Sequence, residues 1–315
     1  MESRWIVLEG EPAAGPLHYA DFGGSGAPVV LVHGLGGSHV NWIGVGERLA
    51  RHARVVALDL AGFGRTPPSG RNASIEANAA LLAEFARRVA GRGVTLVGNS
   101  MGGLLSVMVA AHAPSLVDRL VLVDASLPRA AGVALDREVA RTFAIYAIQG
   151  VGEAFMRARY ARMTPEALVD ETLRICCTAP DAVPSEIVEA HYAIARERRS
   201  MSWAHAAYLE AARSLVKLLL RPGAYDAMLE RVTAPTLMLH GTADRLVPFG
   251  QARSAAERYG FALEALEGIG HVPQLECPTR LVEIVRDFLE GDAAVRSSLG
   301  RGPRREGRAS AGPGA

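Results

Sequence analysis

A chain of 315 residues is long enough for one large α/β domain with an insertion, or for two domains. Basic side chains number 34 against 33 acidic ones, so no global field points to nucleic acid or to an anionic membrane. Hydrophobic residues make up 49% and charged residues 21%, ordinary values for a globular enzyme, and no apolar run approaches the ~18 residues that span a bilayer.

The opening residues, Met1-Glu2-Ser3-Arg4-Trp5, lack a basic region followed by an apolar core, so no secretory leader is expected. Strands are predicted at Trp5–Leu8, Leu17–Asp21, Pro28–Val32, Val55–Asp59, Val94–Val97 and Leu120–Val123. Helices are predicted at Asn41–His52, Ser74–Ala90 and Met101–Ala113. Such alternation argues for a mostly parallel sheet covered on both faces. It breaks at Leu127-Pro128. From about residue 129 to 221 no segment reads as a strand, and Ser185–Arg199 and Ser202–Leu220 have helical periodicity. Alternation resumes after Val232, with strands near Pro235–Leu239 and Leu263–Leu266 and helices at Gly250–Tyr259 and Pro278–Leu289. From Gly291 the chain is rich in Gly, Ser, Ala and Arg and reads as a disordered tail. The expected organisation is a core in two parts, 1–128 and 232–290, a helical insertion at 129–231, and a tail at 291–315. Of the three cysteines, Cys176 and Cys177 are adjacent and cannot form an ordinary disulfide with each other, which fits a reducing cytoplasm.

One motif carries chemistry. Gly98-Asn99-Ser100-Met101-Gly102 lies between an apolar strand and a buried helix, the pattern of a nucleophile elbow. Side chains at Gly98 or Gly102 would collide with neighbouring backbone in so tight a turn. The Ser100 hydroxyl would stand at the positive end of the following helix. A serine hydroxyl needs a base within hydrogen-bond reach, and the base needs an acid to orient it. Asp244 and His271 each follow a predicted strand, and parallel strands gather such ends into one crevice. The chain order Ser100, Asp244, His271 is that of an α/β-hydrolase triad. Asp124, just past the strand at Val121-Leu122-Val123, competes with Asp244 for the acid role. The bland alternatives are a small residue at a turn, a helix cap and a surface histidine. There is no G-x-x-x-x-G-K-[ST] and no H-E-x-x-H, so neither nucleotide, metal nor other cofactor is expected.

The elbow, His33-Gly34-Leu35-Gly36-Gly37, Asp59-Leu60-Ala61-Gly62-Phe63-Gly64-Arg65-Thr66, the Asp244 loop and Gly270-His271 together resemble the α/β-hydrolase fold superfamily. The closer resemblance is to its capped serine hydrolases: esterases, lipases and carbon–carbon bond hydrolases. It implies an eight-stranded sheet whose second strand runs antiparallel, and a helical cap over the catalytic crevice. It also implies an oxyanion hole made by the amides of Leu35 and Met101. Gly241-Thr242-Ala243-Asp244 matches the commoner acid-loop pattern, His33 takes a structural role, and Asp59 belongs to a structural turn. Cap residues Phe143, Tyr146, Phe155, Met201, Trp203 and Tyr208 are candidates for a substrate pocket or for packing between cap helices. Trp42 is a candidate wall from below, and Val272 borders His271.

Serine at the elbow excludes the aspartate-nucleophile branch and leaves acyl transfer to water. The leading expectation is hydrolysis of a small to medium, largely apolar carboxylic ester, by a monomer or homodimer without stable membrane insertion. A meta-cleavage carbon–carbon hydrolase is the second, because Gly98-Asn99-Ser100-Met101-Gly102-Gly103 resembles that group's elbow. Against it, Val272 stands where that group carries Trp, and the oxyanion loop lacks its longer Gly-rich form. A ligand-binding protein without turnover is the third.

Overall fold

Central strands that are apolar on both faces must be covered on both faces, and the structure shows how. This computed structural model describes residues 1–10, 12–91 and 93–291; most of the tail expected at 291–315 lies outside the described residues. The strands are β1 (Glu2–Leu8), β2 (Gly15–Gly23), β3 (Pro28–Val32), β4 (Arg54–Leu58), β5 (Val94–Asn99), β6 (Val117–Val123), β7 (Thr236–Gly241) and β8 (Ala262–Leu266). They form one eight-stranded sheet in the order β1-β2-β4-β3-β5-β6-β7-β8. β2 runs antiparallel to both its neighbours, and the remaining pairings are parallel.

Side chains alternate between two core layers, as the period of two along a strand requires. Val30, Val32, Leu96, Leu120 and Leu122 enter one layer. Val29, Leu31, Val97, Val121 and Val123 enter the other. The first is closed by α2 (Ile75–Ala90), α3 (Met101–His112) and α10 (Phe249–Tyr259). The second is closed by α1 (Ile43–Leu49) and α12 (Pro278–Glu290), the latter preceded by the single turn α11 (Pro273–Glu276).

The single helix expected at Asn41–His52 is instead a 3-10 turn at His39–Trp42 followed by the shorter α1. Asn41 Oδ1 accepts the Ser38 amide at 2.8 Å, which fixes a tight first turn ahead of the α-helix.

Between β6 and β7 lie α4 (Arg137–Ala147), α5 (Val151–Arg162), α6 (Pro165–Cys176), α7 (Ser185–Arg199), α8 (Ala204–Leu219) and α9 (Pro222–Leu229), with no strand among the described residues. Four of these escaped the periodicity reading. In α5 only Gly152 and Met156 are buried, so its sequence has almost no apolar stripe to see. α9 belongs to the main core: Tyr225 and Leu229 lie in the first layer, and the Tyr225 hydroxyl donates to the Ser126 carbonyl at 2.8 Å.

Candidate active site

Ser100 joins β5 to α3 with φ 55° and ψ −120°, a strained conformation for a residue with a side chain. The strain is held by its surroundings. Ser100 donates its amide to the Val123 carbonyl at 3.0 Å, and its own carbonyl accepts from Ser126 and Gly103, each at 3.0 Å. A Cβ on Gly98 would stand 2.4 Å from the Gly102 oxygen, and one on Gly102 would stand 2.3 Å from the Val32 oxygen, so only glycine fits at either place.

Asp244 leaves the end of β7 and His271 follows β8, which brings both to the strand ends where Ser100 lies. His271 Nδ1 donates to Asp244 Oδ2 at 2.7 Å, leaving Nε2 as the free ring nitrogen. Asp244 Oδ1 accepts the amides of Leu246 at 2.8 Å and Val247 at 3.0 Å. Burial works against a charge on Asp244, but His271 and His240 outweigh it and hold the carboxyl below the usual carboxylate range. Among the described residues Ser100 Oγ makes no hydrogen bond to His271. Catalytic contacts of this kind are often loose before substrate binds.

Asp124, the rival acid, does not touch His271. Its Oδ1 accepts the Gly241 amide at 2.9 Å. Burial and the neighbouring charge of Asp244 push its pKa well above the usual range.

Three contacts that sequence reasoning missed fix the His271 loop. Asn99 Nδ2 donates to the His271 carbonyl at 3.0 Å. The His271 amide donates to the Cys176 carbonyl of α6 at 2.7 Å. Glu276 accepts the Gly270 amide at 2.8 Å with one oxygen, and with the other the amide and hydroxyl of Thr178, at 2.8 and 2.7 Å. Asn99 stood within the quoted elbow, and Glu276 only five residues beyond His271. Neither had a spacing signature.

The loop after β3 lies against the serine: a Cβ on Gly34 would stand 2.9 Å from that of Ser100. Among the described residues the amides of Leu35 and Met101 have no acceptor, so both stand available as donors. His33 is fully engaged. Its Nδ1 donates to the Gly34 carbonyl at 2.8 Å and its Nε2 accepts the Leu60 amide at 3.1 Å. Burial depresses its pKa to about 4.

The pocket candidates divide. Tyr146 packs with Met156, Leu209 and Ala212 against Leu35, with Tyr208 and Phe155 around it. Phe143 meets Tyr146 edge to face at 6.2 Å. Trp203 instead stacks with the Arg198 guanidinium, 5.3 Å from its ring centre. Val272 lies in a small core with Leu173, Cys177, Val183, Ile187 and Leu275, and Trp42 lies in the second core layer.

Two buried groups bring three ligand-type atoms within 4.8 Å of one another: His18, His39 and Asp59, and Asp124, His240 and Asp244. Their atoms are already used. His18 and His39 bond Asp59 at 2.7 and 3.0 Å, and His240 Nε2 donates to the Val247 carbonyl at 2.7 Å, which leaves it no lone pair for a metal. All three cysteines are free thiols.

The sequence profile of the alpha/beta hydrolase family matches residues 29–284. The chain belongs to that family. Within the alpha/beta hydrolases it is 31% identical over 274 residues to the 2-hydroxy-6-oxo-2,4-heptadienoate hydrolase of Pseudomonas putida, across 85% of this chain and 91% of that one. It is 30% identical over 268 residues to the pimeloyl-[acyl-carrier protein] methyl ester esterase of Aeromonas salmonicida, across 84% and 96% of the two chains. The solved structure of a thermophilic esterase from Thermogutta terrifontis, 25% identical, superposes with a TM-score of 0.65 over 92% of this chain and 99% of that one. The relatives are hydrolases, and their names cover both a dienoate and an ester. No described helix is long and apolar enough to cross a membrane.

Proposed function

We propose that this chain is a serine hydrolase that cleaves a carboxylic ester through an acyl-enzyme on Ser100. The observation that carries the reading is the buried Asp244–His271 pair, pinned beside the elbow by Asn99. Asp244 fixes the imidazole in the tautomer whose Nε2 accepts, and it stabilises the imidazolium that forms. His271 takes the Ser100 proton as Oγ attacks the ester carbonyl. The amides of Leu35 and Met101 hold the oxyanion. His271 then protonates the leaving alcohol, and water repeats the sequence on the acyl-serine. Helices α4 to α8 act as the cap that shapes the acyl site.

Ester cleavage is favoured over carbon–carbon cleavage because the cationic side chains suited to anchoring a dienoate carboxylate are otherwise committed. Arg196 pairs with Glu166 and Glu189 at 2.5 and 2.7 Å. Arg199 donates to the carbonyls of Met163 and Tyr160 at 2.8 and 3.0 Å. Arg198 donates to Gly64 and Gly62 at 3.2 and 3.1 Å and lies between Phe63 and Trp203. Val272 adds no flat wall beside His271. The second reading, carbon–carbon hydrolysis, draws on the elbow sequence and on the 31% identity with the dienoate hydrolase. A direct comparison of kcat/KM for an aryl butyrate and a phenyl-substituted oxodienoate separates the two. The ester should be preferred. A dienoate preference above about a hundredfold, roughly 2.7 kcal/mol in the transition state, would reverse the assignment.

A further inference from the structure

Five buried side-chain polar atoms have no hydrogen-bond partner among the described residues. One is Asp124 Oδ2, within the acid cluster. The other four are Nε1 of Trp42, Nε2 of His191 and both amide atoms of Gln274. Trp42 and Gln274 are fully buried. Folded proteins rarely leave such atoms unpaired, and several on converging elements mark a place built to bind something polar.

The elements do converge. Trp42 ends the 3-10 turn, which packs against α7, the helix of His191, and against α11, the helix of Gln274. Gly44, two residues past Trp42, closes the approach: a Cβ there would stand 3.2 Å from Ile187 Cδ1 and 3.6 Å from the backbone carbonyl oxygen of Gln274. His191 stands one helical turn beyond Ile187. Gln274 is three residues beyond His271, on the short helix that follows it.

Its chemistry is selective. His191 Nδ1 lies 2.8 Å from the Ile187 carbonyl, and a carbonyl only accepts, so the hydrogen is on Nδ1 and Nε2 presents a lone pair. Burial lowers the His191 pKa and keeps the ring neutral. Trp42 Nε1 only donates, and the Gln274 amide does both. A group that both donates and accepts satisfies this set. A carboxylate would set its lone pairs against that of His191.

We propose that Trp42, His191 and Gln274 form a recognition subsite for a primary carboxamide carried on the acyl chain of the substrate. This presupposes ester cleavage at Ser100 and adds a neutral polar anchor to an otherwise apolar acyl site. The anchor sets which esters are taken.

The test is a homologous series of nitrophenyl alkanoates ending in methyl, carboxamide or carboxylate, which keeps size nearly constant while changing hydrogen bonding. At one chain length the carboxamide should exceed both others in kcat/KM by roughly tenfold or more, because the two alternatives leave the buried groups unpaired. That advantage should collapse in His191→Phe and, separately, in Gln274→Leu. A wild type that hydrolyses nitrophenyl acetate but shows no carboxamide preference at any length overturns the subsite without touching the esterase reading. So does a preference that survives in both variants with native circular dichroism. If neither variant folds, the wild-type series alone decides. If no nitrophenyl ester is turned over at all, the esterase reading falls, and the subsite falls with it.

Discussion

Asn99 and His271 are joined by a hydrogen bond of 3.0 Å from the side-chain amide of one to the backbone carbonyl of the other. The same amide donates to the Val123 carbonyl at 3.1 Å, so one side chain ties β5, β6 and the histidine loop together. The residue beside Ser100 therefore sets where His271 stands.

Asn99→Ala should lower kcat on a small activated ester by about a hundredfold, the scale expected when reacting groups shift by about an ångström. KM should move much less. Steady-state kinetics checks this, and a kcat within twofold of wild type would show that the His271 loop does not depend on Asn99.

Ser100→Ala should abolish labelling by a fluorophosphonate probe and cost roughly 10⁴- to 10⁶-fold in kcat, the scale of triad serine deletions. Labelling that persists in this variant would place the nucleophile elsewhere.

The geometry at Asp244 predicts an ordering between two carboxylates. Asp244→Asn removes the acceptor that orients His271 and should cost on the order of 10³ to 10⁴ in kcat. Asp124→Asn leaves the His271–Asp244 contact in place and keeps an acceptor for the Gly241 amide, and it should cost less than about tenfold on the same scale. Kinetics of the pair decides. The reverse ordering would move the acid to the end of β6.

The gathering of Ser100, Asp244 and His271 at neighbouring strand ends was legible in the sequence because each position is announced locally, by a strand followed by a glycine or polar turn. The central strands were legible for a similar reason: each is a short continuous apolar run bounded by polar or glycine residues, while the count of eight strands came from the family resemblance. What the sequence hid is backbone chemistry. The carbonyl of Cys176 that receives the His271 amide, and the carbonyl of His271 that receives Asn99, belong to groups every residue carries. The packing of the candidate aromatics was illegible for another reason. Trp203 turns to Arg198 and Tyr146 turns toward Leu35 according to which face of each cap helix packs, and that depends on its neighbours.

His33 gives the fold a pH dependence. In the folded chain it stays neutral down to a pKa of about 4, against 6.5 for an ordinary histidine, because burial disfavours its charge. Between those values the unfolded chain binds more protons. The contribution is therefore fully present above pH 6.5 and is lost as pH falls toward 4; the difference corresponds to about 3 kcal/mol. Urea unfolding of His33→Gln at neutral pH and at mildly acidic pH should show a shallower loss than wild type. Parallel losses in the two proteins would mean that His33 is not the source.

Glu276 supplies the last prediction. Its two carboxylate oxygens work in opposite directions, one holding Gly270, the residue before His271, and the other holding Thr178, two residues past the end of α6. The segment after α6 and the His271 loop are thus fastened through one side chain, and a change in the inserted helices should be felt at His271. Glu276→Gln replaces one acceptor by a donor, so one of the two attachments must fail, facing N–H groups without an acceptor. Glu276→Ala releases both. kcat should fall in the order wild type, Gln, Ala, by roughly tenfold to a hundredfold at the end of the series, as misplacement of a base requires. Ser100 itself is untouched, so fluorophosphonate labelling should slow in step with kcat and still run to completion. Variants that label and turn over at the wild-type rate would show that the cap and the histidine loop are positioned independently.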